Sequence, residues 1–479
     1  MKLSELLREV EYKGQYTKDV EIDNVTDDSR LIRSGTLFVC VRHRSFDGHT
    51  AAQEAVENGA EAVVAEHPTG VSNELLVKDS RAAYAALCAA LRNHPERKLR
   101  MIGITGTNGK TTTACLVRDI LEPYSMRCGL LGTVQNILGD EETAPELTTP
   151  KPPELYDMLG KMVNQGCVGC VMEASSQALQ QGRLSGIEFD IAVFTNITQD
   201  HLDYHGTFED YLKAKKKLFG SAKKAVVNLD DPHAQDIVSA CKGEVVTYSA
   251  VLDCADYTAK NISLENCSVS FELVSKGRIV HIELGSPGIF SVYNAMAAAV
   301  CALEAGVPPE NVSSALLMAQ GVCGRLEKVD CNSEADILID YAHTPDGLEN
   351  VLRALRETCR GKLIVLFGCG GDRDKLKRPL MCGVACRYAD TVIVTSDNPR
   401  TEDPQSIIDD VLKGVGKAKS RVLVEIDRRK AIALALKKAR AGDTVILAGK
   451  GHEKYQIIGN EKLPFDEREE VRKILAAPE

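Results

Sequence analysis

The sequence predicts an α/β protein of three domains. These are a small N-terminal α/β domain, a central domain with a mostly parallel sheet, and a C-terminal doubly wound domain. Three observations carry this. The chain has 479 residues, too many for one ordinary domain. Apolar runs of strand length alternate with helix-length segments in two blocks, one opening at Met101 and one near residue 335. A polar, proline-bearing stretch, RNHPERKLR (92–100), separates the first block from what precedes it. The domain bounds read this way are 1–98, 99–330 and 331–479.

In the first domain, TLFVCV (36–41) is a strand, FDGH (46–49) a turn, AAQEAVENGA (51–60) helical and EAVVAE (61–66) a strand. In the second, MIGIT (101–105) precedes a helix near 111–122, and GLLGT (129–133) follows. PPELYDMLGKMV (152–163) has proline at a helix start and helical spacing. CVGCVMEA (167–174), DIAVFTNI (190–197) and AVVNLD (225–230) read as buried strands. The third block holds five apolar runs: ADILIDYA, KLIVLFG, DTVIVTS, RVLVEI and DTVILAG. Four of them end in polar clusters, DYAHTPD, GCGGDRDK, SDNPR and AGKGHEKY. In an open parallel sheet, ligands bind at the carboxyl ends of the strands.

Composition narrows the class. Hydrophobic residues make up 44% and charged residues 26%, and the formal net charge is −10. Nothing there suggests a nucleic-acid or membrane binder. The first residues lack the apolar core of a signal peptide, and the longest apolar runs are too short to span a bilayer. The 16 cysteines sit mostly in apolar runs and form no paired C-x-x-C zinc pattern. They read as small core residues of a reducing compartment. A cytoplasmic protein is expected.

GITGTNGKTTT (103–113) lies between a strand and a helix. Its glycines let backbone N–H groups crowd around phosphate oxygens, and the helix N-terminus adds a favourable field. Lys110 supplies a point charge and Thr111 a hydroxyl for magnesium. Glycines at 103, 106 and 109 depart from the usual G-x-x-x-x-G-K spacing. A regulatory GTPase would need an N-K-x-D motif, which the chain lacks.

FEDYLKAKKKLF (208–219) follows Thr207, an N-cap with Asp210 three residues on. Phe208, Tyr211, Leu212, Leu218 and Phe219 form its apolar stripe, and Lys215 falls on that stripe while Lys213 and Lys217 do not. The plain reading is a lysine that snorkels to solvent. Glu173 ends a buried strand, and His201 follows another. His201 and His205 stand four apart, but Gly206 and the preceding polar turn argue against a helix there, and no third zinc ligand is evident. His205 reads as a core or turn histidine.

Taken together, TGTNGKTTT, MEASSQALQQGRL (172–184), FTNITQDHLDYHGTFEDYLKAKKKLF (194–219), SVYNA (291–295), GRLE (324–327), DYAHTPDGL (340–348), GCGGDRDKLKRPLM (368–381), DNPR (397–400) and GKGHEKYQ (449–456) resemble the Mur ligases over essentially the whole chain. The resemblance implies an N-terminal domain for a UDP-sugar peptide, a central P-loop-like ATPase domain and a Rossmann-like C-terminal domain for the incoming amino acid. It implies an ATP- and Mg2+-dependent, ADP-forming amide ligase of peptidoglycan precursor synthesis.

By that resemblance Gly106, Thr107, Asn108, Gly109, Lys110, Thr111 and Thr112 hold the ATP phosphates, and Asn294, Arg325 and Asp340 lie near the nucleotide. Lys110, Glu173, His201 and Lys215 are the catalytic set. Thr111, Glu173, His201 and Lys215 are the metal set, with Lys215 as a carbamate (N6-carboxylysine) made with carbon dioxide. Asp27, Ser29, Thr148, Thr149, Ser175, Gln181 and Arg183 match contacts to the UDP-muramoyl dipeptide. Gln177 stands where the family often has histidine, and the loop VRHRSFDG (41–48) aligns loosely.

The same resemblance assigns Arg373, Asp397, Asn398, Pro399, Arg400, Gly449 and Glu453 to meso-diaminopimelate. DNPR offers a guanidinium fork for the distal carboxylate, which lysine lacks, and an acid and amide for the ammonium. The alternative for Arg400 is a surface ion pair with Glu402 or Asp403. Rival readings are a folylpolyglutamate synthase, another Mur ligase, or a binding protein that keeps the fold without catalysis. A monomer whose domains close over small-molecule substrates is expected.

Overall fold

A computed structural model of the chain describes residues 1–476 apart from Ser45, Ser125, 266–267, Gln320 and 417–419. It contains two compact units, residues 1–256 with 297–308, and residues 257–296 with 309–479. The expected α/β class is what the chain adopts.

The first unit holds two sheets. The N-terminal one has five strands, in the spatial order Lys13–Gly14, Glu74–Leu76, Ala60–Ala65, Thr36–Val39, Asn24–Thr26. All its pairings are parallel except the first. The central sheet is built on β1 (Arg100–Thr105), which is followed by helix α1 (Lys110–Leu121). Then come β2 (Gly169–Glu173), β3 (Phe189–Phe194) and helix α2 (Phe208–Phe219). β1 lies between β2 and β3, parallel to both. Strands Cys128–Leu131, Ala222–Asn228 and Glu244–Ser249 extend the parallel array outward.

The sequence logic is direct: runs such as Gly169–Glu173 are buried along their whole length, as strands covered on both faces must be. One continuous core joins both sheets, from Leu37 and Val64 through Tyr84 and Leu87 to Leu155, Tyr156 and Met172. The stretch 92–100 is no open tether: Pro95–Lys98 form a short 3-10 turn with Pro95 and Glu96 buried.

The second unit begins with three antiparallel strands, Tyr257–Leu264, Val269–Ser275 and Arg278–Leu284. They were not foreseen. Lys276 and Gly277, at φ 43° and 79°, make the tight turn of the second hairpin.

The doubly wound sheet follows, with β4 (Asp336–Asp340), β5 (Leu363–Phe367), β6 (Thr391–Val394) and β7 (Thr444–Ala448). β7 sits between β4 and β5, β6 follows β5, and Arg421–Val424 closes the parallel array. All five predicted runs are therefore strands. Alternate residues serve opposite faces. Val365, Phe367, Val392 and Ile446 pack with Leu352, Met381 and Ile408, while Ile364, Leu366, Val445 and Leu447 pack with Ile432 and Val471. Because β4 to β7 run parallel, their carboxyl ends share one edge.

Among the described residues no helix is long and apolar enough to cross a membrane. Fifteen of the cysteines are described, none of them in a disulfide and most of them buried; Cys267 lies outside the described residues.

Candidate active site

The phosphate loop joins β1 to α1. Gly109, at φ 83°, caps the helix in the left-handed region, where a side chain is strained. At Gly106 a Cβ would fall on the Thr195 hydroxyl. The loop is pinned by the chain just past β3. Thr107 N–H donates to the Asn196 carbonyl (2.8 Å), and Asn108 N–H to the Asn196 side-chain oxygen (2.9 Å). Thr195 Oγ1 donates to the Asn108 carbonyl at 2.7 Å. Thr107 Oγ1 lies 3.0 Å from Tyr211 Oη and accepts from Thr198 N–H at 2.9 Å. Thr112 continues the first turn of α1.

Lys110 Nζ donates to the Gly106 and Thr107 carbonyls at 2.9 and 2.8 Å. Thr111 Oγ1 donates to Glu173 at 3.0 Å. Glu173, buried at the end of β2, also accepts from Thr133 N–H at 2.7 Å and Thr133 Oγ1 at 3.1 Å. A carboxylate and a hydroxyl thus face each other beside the phosphate loop. These are hard oxygen donors of the kind Mg2+ takes.

Thr207 caps α2 through Asp210 N–H at 3.1 Å, as read from the sequence. Lys215 lies on the buried face, but it does not snorkel. Only 1% of it is exposed, and its Nζ donates to the Gly106 carbonyl at 2.6 Å. The amine sits 4.6 Å from the centre of the Tyr211 ring. Burial, reinforced by the nearby Lys110 charge, pushes its pKa well below the usual lysine range. The two lysines expected in the catalytic set thus meet on one carbonyl.

His201 follows β3 at φ 53°, half in solvent, with Nε2 3.4 Å from Asp200 and its ring edge-on to Tyr211. The expectation of no helix after it is corrected: Leu202–His205 form one helical turn that Gly206 ends at φ 82°. The turn fits because His201 adopts the left-handed conformation just before it. His205 is buried, with Nε2 2.9 Å from Ser176 Oγ. Among the described residues no three His, Cys, Asp or Glu side chains cluster in a metal-binding arrangement.

The residues expected at the UDP-sugar peptide also fall in the first unit. Asp27 is partly buried, 2.9 Å from His43 Nε2, and accepts from Tyr84 Oη at 3.3 Å. Burial opposes its charge, but His43 and Lys151 outweigh this and lower its pKa. Ser29 opens a short 3-10 turn. Within the loosely aligned loop, Ser45 lies outside the described residues.

A second group gathers at the end of β2. Thr149 Oγ1 donates to the Glu173 carbonyl at 2.7 Å and lies 3.1 Å from Ser175 Oγ. Thr148 Oγ1 is 3.1 Å from Thr133 Oγ1. Arg183 donates to the Thr149 carbonyl (2.6 Å) and to Gln181 (2.8 Å), which donates in turn to Tyr204 Oη (2.8 Å). Gln177 accepts from Ser176 Oγ at 3.3 Å.

In the second unit Asp340 ends β4, buried, and accepts from Leu326 and Ala342 N–H at 2.8 and 2.7 Å. Burial raises its pKa, and Arg325 opposes that shift. Arg325 lies over the Tyr341 ring, 4.9 Å from its centre. Asn294 is buried in helix Ile289–Glu304.

At the shared edge of β5, β6 and β7 the DNPR residues meet GCGG and GKGHE. Arg400, at φ 51°, donates through Nη1 to the Gly371 carbonyl at 2.8 Å. The ion-pair alternative fails. Glu402 instead pairs with the buried Arg378 at 2.9 Å, and Asp403 caps helix Pro404–Leu412. Pro399 is buried, and Arg373 is exposed near Gly370. Gly449, at φ 112°, carries no Cβ where one would come within 2.8 Å of Asp397 Oδ2.

Asn398 Nδ2 donates to Glu453 Oε2 at 2.9 Å. Its Oδ1 accepts from Ile457 N–H at 2.9 Å and from Lys450 Nζ at 3.0 Å. Lys450, fully buried, also reaches Asp397 and Glu453, both at 3.2 Å. Sequence reasoning did not single out Lys450. Its signal was a lysine between two glycines directly past a buried strand. Thr133 and Asn196, likewise just past strands, were also passed over.

Three regions match known families: residues 21–97 the Mur ligase family, catalytic domain; residues 104–302 the Mur ligase middle domain; residues 324–451 the Mur ligase, glutamate ligase domain. A UDP-N-acetylmuramoyl-L-alanyl-D-glutamate--2,6-diaminopimelate ligase of Caldanaerobacter subterraneus is 45% identical over 485 residues, covering all of both chains. One of Clostridium acetobutylicum is 41% identical over 483 residues, covering 99% of each. A solved structure of a ligase of that name is 36% identical, covers 99% of each chain and has a TM-score of 0.73.

Proposed function

The chain belongs to the Mur ligase family, and from that premise we propose that it joins meso-2,6-diaminopimelate to UDP-N-acetylmuramoyl-L-alanyl-D-glutamate. ATP is converted to ADP and phosphate, and the product is a peptidoglycan precursor. The observation that carries this reading is the phosphate loop 106–112, with Thr111 set against Glu173. The matched regions 21–97 and 104–302 fall within the bounds 1–98 and 99–330, and the third, 324–451, begins seven residues before 331; this order supports a UDP-sugar domain, an ATP domain and an amino-acid domain. The reaction uses soluble small-molecule substrates, and we assign it to a monomer in the cytoplasm.

A free carboxylate is a poor electrophile. ATP therefore phosphorylates the D-glutamate side-chain carboxylate, an amine of diaminopimelate attacks the acyl phosphate, and the tetrahedral adduct collapses to amide and phosphate. The protein contributes mainly position and charge. Loop N–H groups from Gly106 to Thr112 and the N-terminus of α1 receive the phosphates. Lys110 leaves its loop carbonyls for the transferring phosphoryl group. Asn294, Arg325 and Asp340 are assigned to the nucleotide. Asp27, Ser29, Thr148, Thr149, Ser175, Gln181 and Arg183 are assigned to the UDP-muramoyl dipeptide.

Thr111, Glu173 and His201 would hold Mg2+, which supplies neutralisation of phosphate charge when bound. Lys215 suits that set only as a carbamate, because an ammonium repels a cation. Its complete burial beside Gly106 supports the modification. The amine attacks carbon dioxide, forms an N–C bond and releases one proton. Arg400 and Arg373 take the distal carboxylate of diaminopimelate, and Asp397, Asn398, Pro399, Gly449 and Glu453 surround its ammonium.

Oxygen-18 tests the route. With both oxygens of the D-glutamate side-chain carboxylate labelled, each turnover should place one labelled oxygen in inorganic phosphate. Unlabelled phosphate would exclude the acyl phosphate.

A further inference from the structure

Lys450 is 0% exposed, yet its ammonium touches three residues assigned above to the substrate. It lies 3.2 Å from Asp397 Oδ1, 3.0 Å from Asn398 Oδ1 and 3.2 Å from Glu453 Oε2. Asn398 Oδ1 also accepts from Ile457 N–H at 2.9 Å, so both its lone pairs are used within the protein. An incoming ammonium therefore meets Asp397 Oδ2 and Glu453 Oε1, not the Asn398 oxygen. The Asn398 amide nitrogen, with one hydrogen on Glu453, keeps its second for an acceptor.

The charges matter as much as the hydrogen bonds. Asp397 and Glu453 carry two negative charges and Lys450 one positive, leaving the clamp with one net negative charge. Arg428, which also faces Asp397, is neutralised by Glu467 at 2.8 Å. Arg400 and Arg373 supply the positive charge at the same edge. A net negative clamp beside a pair of arginines matches a zwitterion, the distal end of diaminopimelate. It does not match the lone ammonium of lysine. Without Lys450 the clamp would carry two negative charges and favour the cation.

We propose that Lys450 is a positioning and specificity-determining residue: its buried ammonium fixes the orientation of Asn398 and Glu453 and sets the clamp charge that selects a zwitterionic amino-acid end over a cationic one. The inference rests on the assignment of this edge to the amino acid.

The test compares kcat/KM for diaminopimelate and L-lysine in wild type, Lys450→Gln, Lys450→Arg and the double variant Lys450→Gln/Glu453→Gln. Lys450→Gln should lower the diaminopimelate-to-lysine ratio at least tenfold, mainly through KM for the amino acid, with KM for ATP and the UDP-dipeptide unchanged. Lys450→Arg keeps the charge, and the double variant restores one net negative charge. Both should keep the preference for diaminopimelate even where kcat falls. An unchanged ratio in Lys450→Gln overturns the inference. If that variant does not fold, loss of the preference in either of the other two overturns it. A wild type without preference would instead overturn the assignment of the edge itself.

Discussion

Arg400 held by the Gly371 carbonyl, and Lys215 held by the Gly106 carbonyl, are single contacts on which much of the chemistry turns. On the proposed reading, replacing Arg400 with alanine removes the fork assigned to the distal carboxylate, which lysine lacks. The expected cost is about 2–3 kcal/mol for diaminopimelate, roughly 30- to 150-fold in kcat/KM, with little change for lysine; steady-state kinetics on both amino acids checks this. Lys215→Ala should remain folded and lose most activity. Millimolar formate or acetate should restore part of it, because a small carboxylate can occupy the place of the proposed carbamate. Full activity of that variant without additive would remove the carbamate from the mechanism. The oddity of Lys215 was legible in the sequence as a cation on an apolar stripe. Its carbonyl partner was not, because any residue can present a backbone oxygen. Lys450 escaped for a related reason: a lysine after a strand looks solvated until the fold closes three acceptors around it.

Helix Phe208–Phe219 was legible to its ends because its cap, its period and its polar face agree. Thr207→Ala should cost about 1 kcal/mol of stability, read by denaturant unfolding. Four of the five runs of the second parallel sheet were equally plain, since strands covered on both faces are apolar throughout; the fifth, Arg421–Val424, is a partly exposed edge strand that its apolar residues still marked. The antiparallel strands from Tyr257 to Leu284 were missed because their faces alternate in burial and the signal per strand is weak.

Between elements, Arg378 ties the GCGG loop to the helix beyond DNPR. It donates to Glu402 at 2.9 Å and to Asp410 at 3.0 Å. Arg378→Met should lower the melting temperature, since it removes hydrogen bonds from a fully buried guanidinium to Glu402 and Asp410. Hydrogen bonds from Arg378 and Asp372 N–H hold the Glu402 pKa at about 2, against an ordinary 4.5. That stabilisation is complete above the ordinary value and is lost as pH falls from about 4.5 towards 2. Melting temperatures across that window should fall more steeply in wild type than in Arg378→Met.

On the scale of the whole chain, two independent sheet edges carry polar clusters, one around the phosphate loop and one around DNPR. The first was legible as nucleotide chemistry from glycines and a lysine alone. The second was legible as a ligand edge from strand ends, but the identity of its ligand came from resemblance, since Arg, Asn and Asp at a rim fit many zwitterions. Binding of ATP with Mg2+ should stabilise the fold by about 2.7 kcal/mol at a hundredfold excess over Kd, seen as a raised melting temperature. The most direct test is phosphate release by the purified chain with ATP, Mg2+ and UDP-N-acetylmuramoyl-L-alanyl-D-glutamate, offered meso-diaminopimelate, L-lysine, L-glutamate and no amino acid in turn. Rapid release with diaminopimelate alone, and a product heavier by one diaminopimelate residue, is the predicted result; equal or faster turnover with lysine or glutamate would contradict it.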